Sequence, residues 1–306
     1  MDELETLTFH VRDDETEQRL DKVLTDRLKE YSRMQVQQLI KNGLVIVNDR
    51  ERKPAYKLEA GDTITAQIPP EEEEGEVEPQ DIPLTVLYED DYIAAINKPA
   101  GLVVHPGFGN TEGTLVNALL ARWPQVRNVG HPERAGVVHR LDKDTSGVIL
   151  VALTTKAQYN LMRQFEERTV KKIYWALVDR HPDTPVGRIH APIGRDPQQR
   201  KKMAVIRSGR EAITNFRVVE RFQDHTLMEI HLETGRTHQI RVHMAFIGSP
   251  VVGDTVYGFR KPSVKIGRMF LHAKSITFRH PITDEERFIE TELPSELQQA
   301  LEKLPR

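Results

Sequence analysis

The residues best equipped for chemistry stand together in His139-Arg140-Leu141-Asp142-Lys143-Asp144-Thr145-Ser146, a polar run closed by Gly147. It lies between two apolar stretches, 135–138 and 148–153, whose Val, Ile and Leu content predicts strands. A carboxylate on such a loop is held by a rigid scaffold and left open to a substrate. It can act as a nucleophile that forms and releases a covalent bond, or it can cap backbone N–H groups in a turn. The loop by itself leaves both roles open, for Asp142 and for Asp144.

The rest of the chain narrows the chemistry by what it lacks. It contains no cysteine, which removes thiol nucleophiles, disulfides and Cys-based zinc sites and fits a reducing cytoplasm. There is no phosphate-binding Gly-rich loop ending in Lys-Ser/Thr and no His-Glu-x-x-His. The twelve histidines form no ligand set, since His238 and His243 are five apart and off one helical face. No apolar run reaches the length of a membrane span, and the acidic start Met1-Asp2-Glu3-Leu4-Glu5 is unlike a signal peptide. A cytoplasmic protein with no membrane partner is expected, as a monomer.

Three further stretches accompany the loop in order. Upstream is Ile96-Asn97-Lys98-Pro99-Ala100-Gly101-Leu102-Val103-Val104-His105-Pro106-Gly107. Downstream is Leu232-Glu233-Thr234-Gly235-Arg236-Thr237-His238-Gln239-Ile240-Arg241-Val242-His243, followed by Gly253-Asp254 and Tyr257-Gly258, and then Leu271-His272-Ala273. Together they resemble the RluA family of pseudouridine synthases over almost all of residues 84–293. The stretch from Val104 to Leu120 is most similar to its RluD-type branch, which acts on large-subunit (23S) ribosomal RNA.

The resemblance implies roles for named residues. Asp142 matches the catalytic aspartate of the His-Arg-Leu-Asp run, and Arg241 matches its cationic partner. Tyr174, in the alternating run Lys171–Val178, matches the tyrosine that stacks on the target uracil. Arg140 and His139 beside the nucleophile, with Ile240, are the expected contacts to substrate or displaced strand. Substrate and product of this isomerisation contain the same atoms, so no cofactor is expected. His105 reads as structural, and Asp144 as turn-stabilising.

These residues need elements to position them. From residue 84 onward short strand-like runs alternate with helices at 113–122, 155–168, 237–247 and 295–303, which predicts an α+β domain. Thr154 or Thr155 and Thr237 are the expected N-caps. The resemblance implies a large mixed, mainly antiparallel sheet with the cleft across its middle. Strands are expected near 92–97, 137–139, 147–153, 171–179, 214–221, 226–233 and 275–279, and a basic hairpin-like segment at 195–210.

Ahead of this domain, residues 17–68 place Leu20, Val23, Leu24 and Leu28 on one helical face, with Ser32 as N-cap of a second helix. They resemble an S4-type RNA-binding module, in which Arg19, Lys22, Arg33, Gln37, Lys41 and Lys53 are the candidate phosphate contacts. Residues 69–83, with the run Glu71–Glu74, predict an extended acidic linker. The net charge of −3 conceals this segregation: residues 66–91 hold ten acidic groups and no basic one, whereas 92–306 carry a net +10. A basic main domain is what an RNA partner requires. Two other classes share parts of the pattern: an RNA-binding assembly factor without turnover, and a carboxylate glycosidase with Asp144 as the second acid.

Overall fold

The structure, a computed structural model, describes residues 5–31, 33–68, 77–107, 110–130, 134–199 and 202–306. The chain divides into two compact units between Glu76 and Val77. The first contains β1 (Glu5–His10), α1 (Leu20–Arg27), α2 (Arg33–Lys41), β2 (Val45–Val47), β3 (Arg50–Glu51) and β4 (Thr63–Ile68). Its strands form one antiparallel sheet in the order β1-β4-β2-β3. Leu20, Val23 and Leu24 of α1 and Val36, Leu39 and Ile40 of α2 recur at helical spacing and bury one face of each helix against Val45, Val47 and Ile64. β1 lies ahead of the unit expected from sequence and pairs along the whole of β4. Only Leu7 and Phe9 on this strand pack against the core, which makes its apolar alternation short. Ser32 lies outside the described residues.

The second unit contains β5 (Thr85–Glu89), β6 (Ile93–Lys98), α3 (Leu115–Arg122), β7 (Ser146–Ala152), α4 (Thr155–Glu166), β8 (Lys171–Asp179), β9 (Val186–His190), β10 (Ile193–Arg195) and β11 (Met203–Val205). It continues with β12 (Ile213–Arg221), β13 (His225–Leu232), α5 (Gln239–Phe246), β14 (Leu271–Arg279), β15 (Glu286–Glu290) and α6 (Ser295–Glu302). One sheet runs β5-β6-β7-β14-β8-β13-β12-β9, with β15 added to β14. Every pairing described in it is antiparallel except β7 with β14, so the domain is the expected α+β type with a mixed sheet.

The period of two divides β7 between two cores. Ile149 and Val151 join one apolar cluster with α3, while Val148, Leu150 and Ala152 join another with Ala157 and Leu161 of α4. A strand covered on both faces reads as a continuous apolar run, which is why 147–153 was legible. Thr154 caps α4 by accepting from the Ala157 N–H at 3.3 Å.

Three expectations need correction. Residues 135–138 are not a strand; they form a turn that touches β7 through one bridge, Val137 to Val151. Gly136 has φ 75°, and a Cβ there would stand 2.0 Å from the Ala152 carbonyl oxygen, so the chain crosses β7 at close quarters. Thr237 does not cap α5; the cap position is His238, in the left-handed region at φ 57° with no side-chain cap bond. Within the expected linker, residues 77–83 belong to the second unit. Val77 packs on its core, Asn117 Nδ2 donates to the Glu78 carbonyl at 2.8 Å, and the Gly113 N–H donates to Gln80 Oε1 at 2.7 Å. The acidic composition of this segment hid these amide bonds.

Candidate active site

Asp142 sits on the loop that enters β7 at the middle of the sheet. The loop is pinned from several directions. Its own turn closes where the Thr145 N–H donates to the Asp142 carbonyl at 3.1 Å. Gly147, φ 115°, lets β7 meet β14, since a Cβ would lie 2.2 Å from the Ala273 carbonyl oxygen. Ser146 Oγ is 2.8 Å from His272 Nδ1 and accepts from Arg268 Nη2 at 2.8 Å. From β6, the fully buried Lys98 donates to the carbonyls of Pro99, Leu102 and Lys143 at 2.9, 2.8 and 3.0 Å. Burial, with the Arg268 cation, brings the Lys98 ammonium down to about 7, while the charges of Asp144 and Asp142 act in the other direction.

His139, an expected contact to substrate or displaced strand, lines one cavity beside the loop and also has a structural part. Its Nε2 accepts from the Leu150 N–H at 2.9 Å, and its ring stacks on Phe165 at 4.8 Å between centroids. Burial and the nearby Lys172 hold it at about 3, so it remains neutral and able to accept that bond. It anchors the start of the loop to β7.

Arg241, on α5, meets Asp142 as expected: Nη1 donates to Asp142 Oδ2 at 3.1 Å. Its stronger engagement is with a residue the sequence reading left without a role. Nε and Nη2 donate to Asp254 Oδ2 and Oδ1 at 2.6 and 3.0 Å, a two-pronged pair. Asp254, whose side chain is 0% exposed, also accepts from the Val256 and Tyr257 N–H groups at 2.8 and 3.0 Å. Burial raises the Asp254 carboxyl, and these bonds more than offset it, so the group stays below the usual range. Burial likewise lowers Arg241, and the two aspartates overcome it, leaving the guanidinium more firmly charged than usual. The Tyr257 ring lies 5.0 Å from Arg241 Cζ, and its hydroxyl is 2.8 Å from His238 Nδ1. Asp254 and Tyr257 stood in the motif Gly253-Asp254 … Tyr257-Gly258, but only proximity in space reveals what they hold.

Three cavities meet at this loop, and the exposed Arg140 lines all of them. The smallest, about 70 Å³, is walled by residues that include Asp142, Tyr174, Ile240, Arg241 and Leu271. A second, about 370 Å³, runs past His105, Pro106, Gly107 and Asp144. A third, about 410 Å³, extends toward Arg168, Lys172 and Arg210. Tyr174 is buried on β8, and burial together with the Asp142 charge pushes its hydroxyl well above the usual tyrosine range. It therefore stays protonated. Asp142, Tyr174, Arg241, Ile240 and Arg140 are thus gathered at one cleft, and Asp144 is exposed at its edge.

Three of the six expected phosphate contacts of the first unit, Arg19, Arg33 and Gln37, are arranged around one buried acid. Asp21, with no exposed side-chain surface, accepts from Arg19 at 2.9 and 3.0 Å, Arg33 at 3.1 Å and Gln37 at 2.5 Å. Arg19 and Arg33 remain about half exposed, at 47% and 55%. Lys22 donates to Gln18, and Lys41 and Lys53 are exposed. The basic segment is a hairpin of β10 and β11; Arg200 and Lys201 lie outside the described residues.

Comparison with known proteins identifies both units. Residues 92–246 match the RNA pseudouridylate synthase family, and residues 18–64 match the S4 domain. The chain is 45% identical over 306 residues to the ribosomal large subunit pseudouridine synthase D of Xanthomonas campestris pv. campestris, covering 96% of this chain and 91% of that one. It is 44% identical over 293 residues to the uncharacterized RNA pseudouridine synthase YlyB of Bacillus subtilis (strain 168), covering 95% and 96%. Among solved structures, human RNA pseudouridylate synthase domain containing 1 is 28% identical with a TM-score of 0.56, covering 74% of this chain and 97% of that one.

Proposed function

Because the chain belongs to the RNA pseudouridylate synthase family, we propose that it converts uridines of large-subunit ribosomal RNA to pseudouridine with Asp142 as nucleophile and without a cofactor. The observation that carries this reading is that Asp142 lines an open cleft, one oxygen facing a permanently charged guanidinium, beside a buried aromatic ring. In the reaction the bond from ribose C1′ to N1 breaks and one from C1′ to C5 forms. The C5 proton leaves and N1 gains one, so atoms and electrons balance within the substrate. A carboxylate is suited to holding the detached partner covalently, because it both attacks and departs readily.

Arg241 has the complementary task. A cation facing a carboxylate supplies its counter-charge and an oriented, charge-assisted hydrogen bond. Asp254 fixes Arg241 so that Nη1 donates to Asp142. Tyr174, Ile240 and Leu271 supply the flat and apolar walls a uracil ring requires. The target must leave its stack to reach them, at a cost of a few kcal/mol. Arg140, exposed at the junction of the cavities, is placed to occupy the vacated position. In the first unit, Arg19 and Arg33 form a fork for RNA phosphates, and the buried Asp21 keeps it oriented.

Mapping pseudouridine in total RNA from cells that carry the chain or its Asp142→Asn variant tests the whole reading. Large-subunit positions should lose the modification in the variant, and purified protein should release tritium from C5-labelled RNA only with Asp142 intact. Modification surviving in the variant would remove Asp142 from the mechanism. Losses confined to transfer RNA would replace the target.

A further inference from the structure

The third cavity is basic, and the reaction gives it no task. Lys172 and Tyr174 are two apart on β8 and so share a face of the sheet, one facing this cavity and the other standing between it and the Asp142 cleft. Lys172 is partly buried, with its Nζ 5.8 Å from the Phe165 ring, and among the described residues neither a carboxylate nor any other acceptor meets it. Burial alone brings this amine down to about 8. Arg168, Arg210 and Arg236 gather on the same cavity. Arg168 is paired with Glu211 at 2.6 Å, and Arg236 donates to the Glu211 carbonyl at 2.9 Å. Two carboxylates, Glu166 and Glu233, also border it, the latter held by Arg188 at 3.1 Å.

A desolvated ammonium without a counter-charge is costly to maintain. An anion arriving in the cavity would relieve that cost. At about 410 Å³ the space falls within the range of small-ligand sites. We infer that this cavity is a phosphate pocket that receives the phosphodiester of the nucleotide next to the extruded uridine, with Lys172 as its central cation and Arg168, Arg210 and Arg236 around it. The inference rests on the reading of the Tyr174 cleft as the uracil site. It implies that the enzyme grips two consecutive nucleotides, one for chemistry and one for position.

The test uses a short synthetic stem-loop containing a uridine mapped as above, with binding measured in the Asp142→Asn background so that turnover does not intervene. Lys172→Met should weaken binding about ten-fold and make the slope of log affinity on log salt shallower by about 0.7 to 1. Lys172→Arg should restore most of the affinity. In the Lys172 chain, a neutral methylphosphonate linkage beside the target uridine should weaken binding by a similar factor, and Lys172→Met should add little to that loss. Unchanged affinity and salt slope in Lys172→Met, or full additivity of the two changes, would overturn the pocket. The methylphosphonate arm needs no variant at position 172, so a folding defect in Lys172→Met leaves the proposal testable. Tritium release from the same stem-loop by the unaltered enzyme separates the two readings. No release at all defeats the function; release with an indifferent Lys172 defeats only the pocket.

Discussion

Arg241 serves two carboxylates unequally: two donors go to Asp254 and one to Asp142. Removing the guanidinium leaves Asp254 buried with backbone N–H partners but no cation. Loss of one member of such a pair costs about 3–5 kcal/mol. Arg241→Ala is therefore expected to lower the melting temperature markedly and to abolish turnover. Asp142→Asn should keep the wild-type melting temperature, because its single bond to Arg241 lies at the edge of the cleft. Calorimetry on both variants checks the contrast, and an unaltered melting point for Arg241→Ala would refute the buried-pair account. At this scale the sequence named both ends of the Asp142–Arg241 contact. It left Asp254 without a role, since a motif aspartate after glycine also suits an ordinary turn.

Among the elements, the junction of β7 and β14 positions the chemistry. Gly147 permits the only parallel pairing in the described sheet, at a positive φ and with no room for a Cβ beside Ala273. Gly147→Ala should destabilise the protein by at least about 1 kcal/mol, because alanine is both strained there and obstructed. It should also slow turnover more than it weakens RNA binding, since Asp142 stands five residues upstream. Urea melts beside single-turnover rates test this, and unaffected turnover would detach the junction from the site. β7 was legible because both of its faces are buried in apolar clusters. The stretch 135–138 is equally apolar and was misread, because composition cannot distinguish a strand from a buried turn that crosses one.

For the molecule as a whole, the buried bases set the response to pH. Burial, with Lys172 for one and Arg268 for the other, holds His139 at about 3 and His272 at about 4. An unfolded chain protonates both near 6.5. The unfolded state therefore binds more protons over that interval, and stability is lost as pH falls from about 6.5 toward 4. Lys98 at about 7 and Lys172 at about 8 extend the same trend upward, because an unfolded lysine keeps its proton to about 10.4. Above about 10 the raised Tyr174 reverses the sign, as the unfolded tyrosine ionises first. Maximum stability is expected at about pH 9 to 10. Denaturant midpoints measured from pH 4 to 10 check it. A maximum near pH 6 would contradict the buried neutral states, and Lys172→Met should flatten the alkaline limb.

The sequence by itself determined the family, the two-part organisation, the elements with strong apolar periodicity, and the identity of Asp142 and Arg241 as partners. The organisation and the periodic elements reside in residue types and local spacing, whereas the family and the pairing of Asp142 with Arg241 came from the resemblance of whole motifs. Tertiary structure alone decided which neighbours a side chain meets across long stretches of chain. It made His139 a support for its own loop, joined Asp254 to Arg241, and set Lys98 against three carbonyls behind the nucleophile. It also left Lys172 partly buried beside an open cavity, without an ion pair among the described residues. Burial and pairing, which govern charge state and orientation, depend on contacts that no local pattern encodes. The loop around Asp142 was therefore readable as a motif, while the means of holding it in place became visible only in the folded chain.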